Sequence, residues 1–239
     1  MKQVRNWTLA LLATITLAGC ESTALVEELE GLLQTSGDGA LSEQTIARGL
    51  SEALTVGSDR VVSTLGNAGG FADSAFRIPL PDTFLKAQET AARFGLSGPF
   101  DELEERMNLA AEAAVPQARS LLLGAVNNLT FADVMGIYRG PEDAATQYLK
   151  GATGEEIDRR MRPIVNEQLN QVGAVSTFKS LVKQYNALPL VKPIDADLEG
   201  HVTNYASAAL FTQLAAEEAA IRKDPLKRST ELLRRVFSN

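Results

Sequence analysis

His201 is the single histidine of the chain and Cys20 its single cysteine. Any serine–histidine nucleophile pair would have to use His201. No Gly-x-Ser-x-Gly elbow accompanies it, since Gly49-Leu50-Ser51-Glu52-Ala53 and Gly95-Leu96-Ser97-Gly98-Pro99 both fail the pattern. A lone histidine near a helix start is expected to cap or to face solvent. A zinc or iron site needs several histidine or cysteine ligands, which this chain does not supply, so no metal and no cofactor is expected. Asp195-Ala196-Asp197-Leu198-Glu199-Gly200 imitates the first half of a calcium-binding loop. The twelfth position of that loop falls on Ala206, where a bidentate glutamate belongs. The segment therefore reads as an acidic helix N-terminus. Gly66-Asn67-Ala68-Gly69-Gly70 lacks the Lys-Ser/Thr of a phosphate loop and is expected to be a flexible connector.

Carboxylates remain as candidate chemistry. Asn108, Glu112 and Arg119 share a helical stripe with Glu104 and Glu105, opposite an apolar one, and that stripe is expected to be a solvated face. Glu217 differs. It lies on the stripe of Ala206, Leu210, Leu214 and Ile221, whereas Glu218 points away. A carboxylate on an apolar stripe has to be paired or neutralised, because isolated burial is expensive. Its candidate partners are Arg77, Arg162 and Arg222. Glu217, Arg77, Tyr148 and Tyr205 form the candidate polar cluster inside the bundle, read first as a structural ion pair and second as a catalytic acid. The basic C-terminal residues Arg222, Lys223, Lys227, Arg228, Arg234 and Arg235 offer a phosphate-bearing ligand a site. Charge complementarity at a helix end explains Arg222 and Lys223 more simply.

These residues need helices to hold them. Ser42 is a plausible N-cap for a helix to about Leu65, where Ile46, Leu50, Leu54, Val61 and Leu65 keep a helical period. Arg77-Ile78-Pro79-Leu80-Pro81 cannot be helix interior and reads as an extended strap pinned by Ile78 and Leu80. Asp82 or Thr83 starts a helix that stops at Gly95. Gly98-Pro99 opens the clearest helix, along Leu103, Met107, Ala110, Ala114, Ala118, Leu121 and Ala125, with a kink or break expected at Pro116. Thr130 with Asp133 predicts a capping-box start for a short helix ending at Gly140. Pro141 begins another, and Thr153 with Glu156 predicts a second capping box that opens a helix running past Arg162-Pro163. Further helices are expected over 175–186 and Asp197–Arg222, and from Pro225 to Phe237. No repeat of 20–50 residues is evident, so a solenoid is not expected. The fold class is all-α: a multi-helix bundle with short Gly/Pro loops.

Cys20 belongs to a different part of the chain. Lys2 and Arg5 precede an apolar run over Leu9–Ala18, broken only by Thr14 and Thr16 and too short to span a bilayer comfortably. This is the layout of an export signal. Its ending, Leu17-Ala18-Gly19-Cys20, looks like a bacterial lipobox, in which the cysteine is alkylated with diacylglycerol, the signal is cut before it and the new amine is acylated. Two or more acyl chains, palmitate among them, suffice for stable anchoring. The expected organisation is a cleaved lipoprotein signal over 1–19, a tether over 20–41 broken at Ser36-Gly37-Asp38-Gly39, and one helical domain over 42–237. Glu21, where aspartate would favour the inner membrane, leans toward the periplasmic side of the outer membrane.

The chain carries 23 basic and 30 acidic residues, and cleavage would remove Lys2 and Arg5. That acidic balance argues against nucleic acid as a partner. Few aromatics and much alanine suit closely packed helices.

Four segments together carry a family resemblance. They are "GLSEALTVGSDRVVSTLG" from Gly49, "FRIPLP" from Phe76, "MNLAAEAAVPQARSLLLGAVNNLTFADVMGIYRGPEDAATQYLKG" from Met107 and "HVTNYASAALFTQLAAEEAAIRKDPLKRSTELLRRVF" from His201. The chain resembles, over roughly 45–237, the bacterial lipoprotein-type family called domain of unknown function 4197. The resemblance implies a helical exported domain and brings no activity or catalytic residue. The functional expectation is a lipid-anchored envelope module that binds an envelope protein. One alternative is a carrier of a small apolar ligand. The other is an envelope hydrolase or transferase using carboxylates, which two acidic groups converging in one cleft would favour.

Overall fold

The computed structural model describes residues 41–95, 97–187 and 197–238 of the chain. All described elements fall in the unit Glu43–Asn239. They are helical, with no strand among the described residues, and the protein is an all-α bundle. Its long helices are α1 (Glu43–Gly66), α3 (Gly98–Ala114), α6 (Ala144–Gln171) and α8 (Leu198–Lys223). Shorter ones are α2 (Asp82–Ala92), α4 (Ala118–Asn127), α5 (Phe131–Arg139), α7 (Ala174–Asn186) and α9 (Glu231–Val236). Helix α8 packs on α6, α1 and α3, and α6 also meets α3, α4 and α7. No single described helix is long and apolar enough to cross a membrane. Cys20, Glu21 and most of the tether lie outside the described residues, as do Pro189, Pro193 and Asp195.

The boundaries follow local chemistry. Thr130 and Asp133 close a reciprocal capping box: the Asp133 N–H donates to the threonine hydroxyl at 3.2 Å and the Thr130 N–H to the carboxylate at 2.9 Å. Asp197 caps α8 by accepting from the Gly200 N–H at 2.8 Å. Pro116 produces the expected break, a 3-10 turn over Val115–Gln117 between α3 and α4. Tighter winding there breaks the 3.6-residue phase. Beyond it Leu122 and Val126 face inward, in place of the expected Leu121 and Ala125. The second expected capping box is absent. Thr153 lies inside α6, which is continuous from Ala144, and its hydroxyl donates to the Leu149 carbonyl one turn back at 2.6 Å. A capping pair in mid-helix cannot act, because the N–H groups it would satisfy already have partners.

The core carries much alanine. Ala110, Ala111, Ala114 and Ala118 on α3 and α4, Ala145 on α6 and Ala206 on α8 are fully buried beside Leu103, Met107, Leu149, Ile157, Met161 and Leu210. Small side chains let helix backbones approach closely, and a non-helical segment uses that space. Residues 67–81 run through turns and then extended chain across this core, with Phe71, Ile78 and Leu80 at 0 % exposure.

A buried strap needs partners for its peptide groups. Asn108 of α3 provides two, because the Ile78 N–H donates to its Oδ1 at 2.8 Å and its Nδ2 donates to the Ile78 carbonyl at 3.0 Å. One turn on, Glu112 Oε1 accepts from the Phe71 N–H at 3.0 Å and the Ala72 N–H at 3.1 Å. Asn108 and Glu112 are therefore buried, against the expectation of a solvated stripe. The connector before the strap is pinned rather than flexible. A Cβ placed on Gly70 would come within 2.4 Å of the Leu65 carbonyl oxygen, so only glycine fits there.

Replacing Asn108 tests this account. Asn108→Leu leaves the Ile78 N–H and carbonyl unpaired, at about 1–3 kcal/mol for each buried group. Glu105→Ala, on the exposed side of the same helix, is expected to change stability by less than about 0.5 kcal/mol. Equal urea midpoints for the two variants would refute the pairing role.

Candidate functional site

Glu217 is 7 % exposed, and its partner is Arg60 of α1 rather than Arg77, Arg162 or Arg222. Spacing along α8 puts Glu217 on the side facing α1, and Gly57 leaves room there: a Cβ on Gly57 would touch Glu217 Cγ at 3.8 Å. Arg60 reaches the carboxylate from a half-exposed position, its side chain 39 % accessible. The pair thus sits at the edge of the bundle.

Glu218 also turns inward, which corrects its expected outward direction. Its side chain is 9 % accessible. One oxygen accepts from the Ala145 N–H at 3.0 Å, and the other from the Thr146 N–H and hydroxyl, both at 2.9 Å. These are first-turn N–H groups of α6, which have no partner within their own helix. Arg222, one turn on, completes the arrangement at 2.9 Å and also donates to the Ile137 carbonyl at 3.0 Å. Helix α8 is enclosed by α1 on one side and α6 on another, so two adjacent residues can both be buried.

The four residues of the expected cluster are not joined. Arg77 is exposed and binds Glu104 Oε1 at 2.6 Å and the Ala72 carbonyl at 2.7 Å, outside the strap. Tyr205 is 43 % exposed and lies against the His201 ring, with centroids 4.7 Å apart. Tyr148 is half-buried, and burial followed by the charge of Asp133 pushes its phenol above the ordinary value. No hydrogen bond or ion pair among the described residues links any two of the four.

His201 lies near the start of α8, but the cap there is Asp197, and the half-buried histidine neither caps the helix nor simply faces solvent. Its Nε2 is 2.8 Å from the Pro79 carbonyl, so it serves the strap as Asn108 does. The acidic N-terminus of α8 is tied to α6 through Arg162, which pairs with Asp197 and with Glu199, the latter at 2.7 Å. The Gly200 N–H, and then Arg162, hold the Asp197 carboxyl below the ordinary value despite partial burial. Among the described residues no group of three acidic, histidine or cysteine side chains lies together as a metal site. The basic C-terminal segment is largely committed. Lys223 pairs with Glu142 at 2.6 Å and Arg234 with Glu231 at 3.3 Å, while Arg228 donates to the Ile221 and Arg222 carbonyls.

One feature escaped the sequence. A small crevice lies between α1, α6 and α8, with Phe237 among the residues that line it. Leu50, Leu54, Leu149, Leu214 and Ile221 line it with hydrocarbon, and Ser58, Thr146, Glu218 and Arg222 are its polar lining residues. Its free volume is about 20 Å³, room for about one water molecule. Ser58 sits among small residues, Ala53 and Gly57, whose neighbourhood carries no chemical signal.

The fold and these ties define an all-helical protein whose buried polar side chains connect helices to one another and to an internal strap. The chain belongs to the family described as protein of unknown function (DUF4197), which it matches over residues 40–238. No curated protein and no solved structure matches it.

The two adjacent glutamates give a test. Glu218→Ala strands two N–H groups and a guanidinium that is 15 % accessible, at an expected cost of about 3 kcal/mol. Glu217→Ala frees Arg60 to turn into water and is expected to cost about 1 kcal/mol. A larger loss for Glu217→Ala in denaturant melts would reverse the assignment.

Proposed function

We propose that the protein is a non-catalytic binding module of the bacterial cell envelope, held at the periplasmic face of the outer membrane by lipid on Cys20. The observation that carries this reading is the use made of the buried carboxylates. Glu112 is spent on strap N–H groups, Glu217 on Arg60 and Glu218 on the start of α6. General acid–base chemistry needs such a group free to reach substrate, within about 3 Å of the proton it moves. Here the three point to separate structural partners and do not converge. The anchor rests on the export-signal layout before Leu17-Ala18-Gly19-Cys20, and the outer membrane on Glu21.

Cys20→Ser tests the anchor. The variant is expected to incorporate no labelled palmitate, to lose the acyl mass and to leave the membrane fraction. Unchanged mass and unchanged membrane retention would overturn it. Mild crosslinking of intact envelopes is expected to recover an envelope partner with the wild-type chain. A hydrolytic or transfer activity in the purified protein, lost in a folded Glu218→Gln variant, would put the enzyme reading in its place.

A further inference from the structure

We propose that α4 and α5 are a membrane contact, their common outer face lying in the headgroup–acyl boundary of a phospholipid bilayer. This adds a second, non-covalent contact to the envelope reading above and rests on that reading's placement of the chain beside a membrane.

The helical run Gly98–Asn127 meets α5 at 104°, and the two together have the length and composition of a membrane span. Helices of a buried core share that composition, but this stretch is mostly uncovered. Between Ser120 and Tyr138 only Leu122, Val126, Val134 and Ile137 are buried, and α4 and α5 both pack on α1 and α6. Leu121, Leu129 and Met135 are half-buried, and Phe131 is 52 % exposed. A Cβ on Gly124 or Gly136 would meet no atom within 4 Å among the described residues, so the outer side of both helices is open. An uncovered apolar surface of this extent marks a contact with protein or with membrane.

Polar chemistry decides between the two. A protein interface carries about one hydrogen bond per 100–200 Å². Between Ser120 and Tyr138 the hydrogen-bonding side chains are Asn127, Asn128, Thr130 and Asp133, all at the bend or in the first turn of α5. The rest of the face offers hydrocarbon alone, which suits acyl chains. Asp133 is the sole charge in that interval. Its carboxylate accepts from the Thr130 N–H at 2.9 Å and hydroxyl at 2.6 Å, so the cap meets part of its demand for water. Arg119 and Arg139 close the interval at its two ends, both exposed. Arginine stems lie along apolar surface and keep the guanidinium at headgroup level.

The angle suits the same partner. Two helices that meet near a right angle define a plane, so both can lie along a flat bilayer surface at once. Phe131, beside the bend, is the most exposed large apolar side chain of the face and the one placed to enter among acyl chains. Lipid on Cys20 supplies proximity, since residues 21–41 span at most about 75 Å at full extension.

The test uses the full-length chain in isolated envelopes and, as probe, a phosphatidylcholine carrying a diazirine in its acyl chain. Photolysis is expected to place lipid adducts on peptides covering Leu121–Met135. Phe131→Ser is expected to lower their yield at least about fivefold, the worth of an aromatic side chain kept in water. Phe94→Ser and Leu226→Ser, exposed elsewhere, should leave the yield unchanged. Should Phe131→Ser fail to fold by circular dichroism, Leu129→Ser takes its place with the same expectation. Unchanged yield in the folded variant, adducts concentrated at Phe94 or Leu226, or crosslinks from this face to a second copy or another protein in place of lipid would each overturn the proposal. Phosphatidylcholine vesicles separate the face from the anchor, because the Cys20→Ser chain is expected to give adducts on the same peptides there. Loss of those adducts with palmitate still on Cys20 removes the membrane face and leaves the anchored module standing. Absence of palmitate with the vesicle adducts intact removes the anchor and leaves the face.

Discussion

A peptide strap pinned into a helical bundle by buried Phe71, Ile78 and Leu80 imposes the constraint on which the structure depends. Helices satisfy their own N–H groups; in the strap, local turns serve Asp73, Ser74 and Arg77, but the Phe71, Ala72 and Ile78 N–H groups take their partners from α3, and each unmatched group inside a protein costs about 1–3 kcal/mol. Neighbouring helices therefore have to present polar side chains inward at fixed heights. Asn108 and Glu112, one turn apart on α3, meet Ile78 and the Phe71–Ala72 pair, and His201 of α8 meets Pro79. The prolines at 79 and 81 reduce the demand, since neither brings an N–H.

The same device joins helix to helix. Glu218 meets the start of α6, where first-turn N–H groups lack intrahelical partners and the helix dipole favours negative charge. A carboxylate there is solvated by peptide dipoles and by Arg222 rather than by water, which makes its burial tolerable. Glu217 is tolerated differently, by an arginine that reaches from the surface. Polar side chains with two or more defined partners fix how far each helix is rotated, which alanine-rich faces leave loosely determined.

Much of the fold was legible because it depends on neighbours in sequence. The capping pair at Thr130 and Asp133, the break at Pro116 and the extended Ile78–Pro81 segment all follow from the residues themselves. The polar interior was not legible, since its cause is distant. Asn108 and Glu112 look like a solvated stripe until a segment thirty to forty residues away in sequence is laid across them. Periodicity counts apolar residues and assumes one buried face per helix, so it turned Glu218 outward. Thr153 shows the converse, a local signal that upstream helix overrides. Cys20 carries the plainest motif of all and lies outside the described residues.

Close packing of small residues has a second consequence. Two helices that meet through alanine and glycine can come near each other, but a third cannot follow both surfaces at once. The gap left where three helices converge has to be filled by larger side chains or by something else. Ala53 and Gly57 on α1 and Ala145 on α6 stand at such a junction with α8, and the crevice lies along them. The crevice and the internal strap thus share one origin, an alanine-rich interior that leaves room beside its helices. The strap uses that room with peptide groups bonded to Asn108 and Glu112. The crevice keeps it, with Ser58 at the wall.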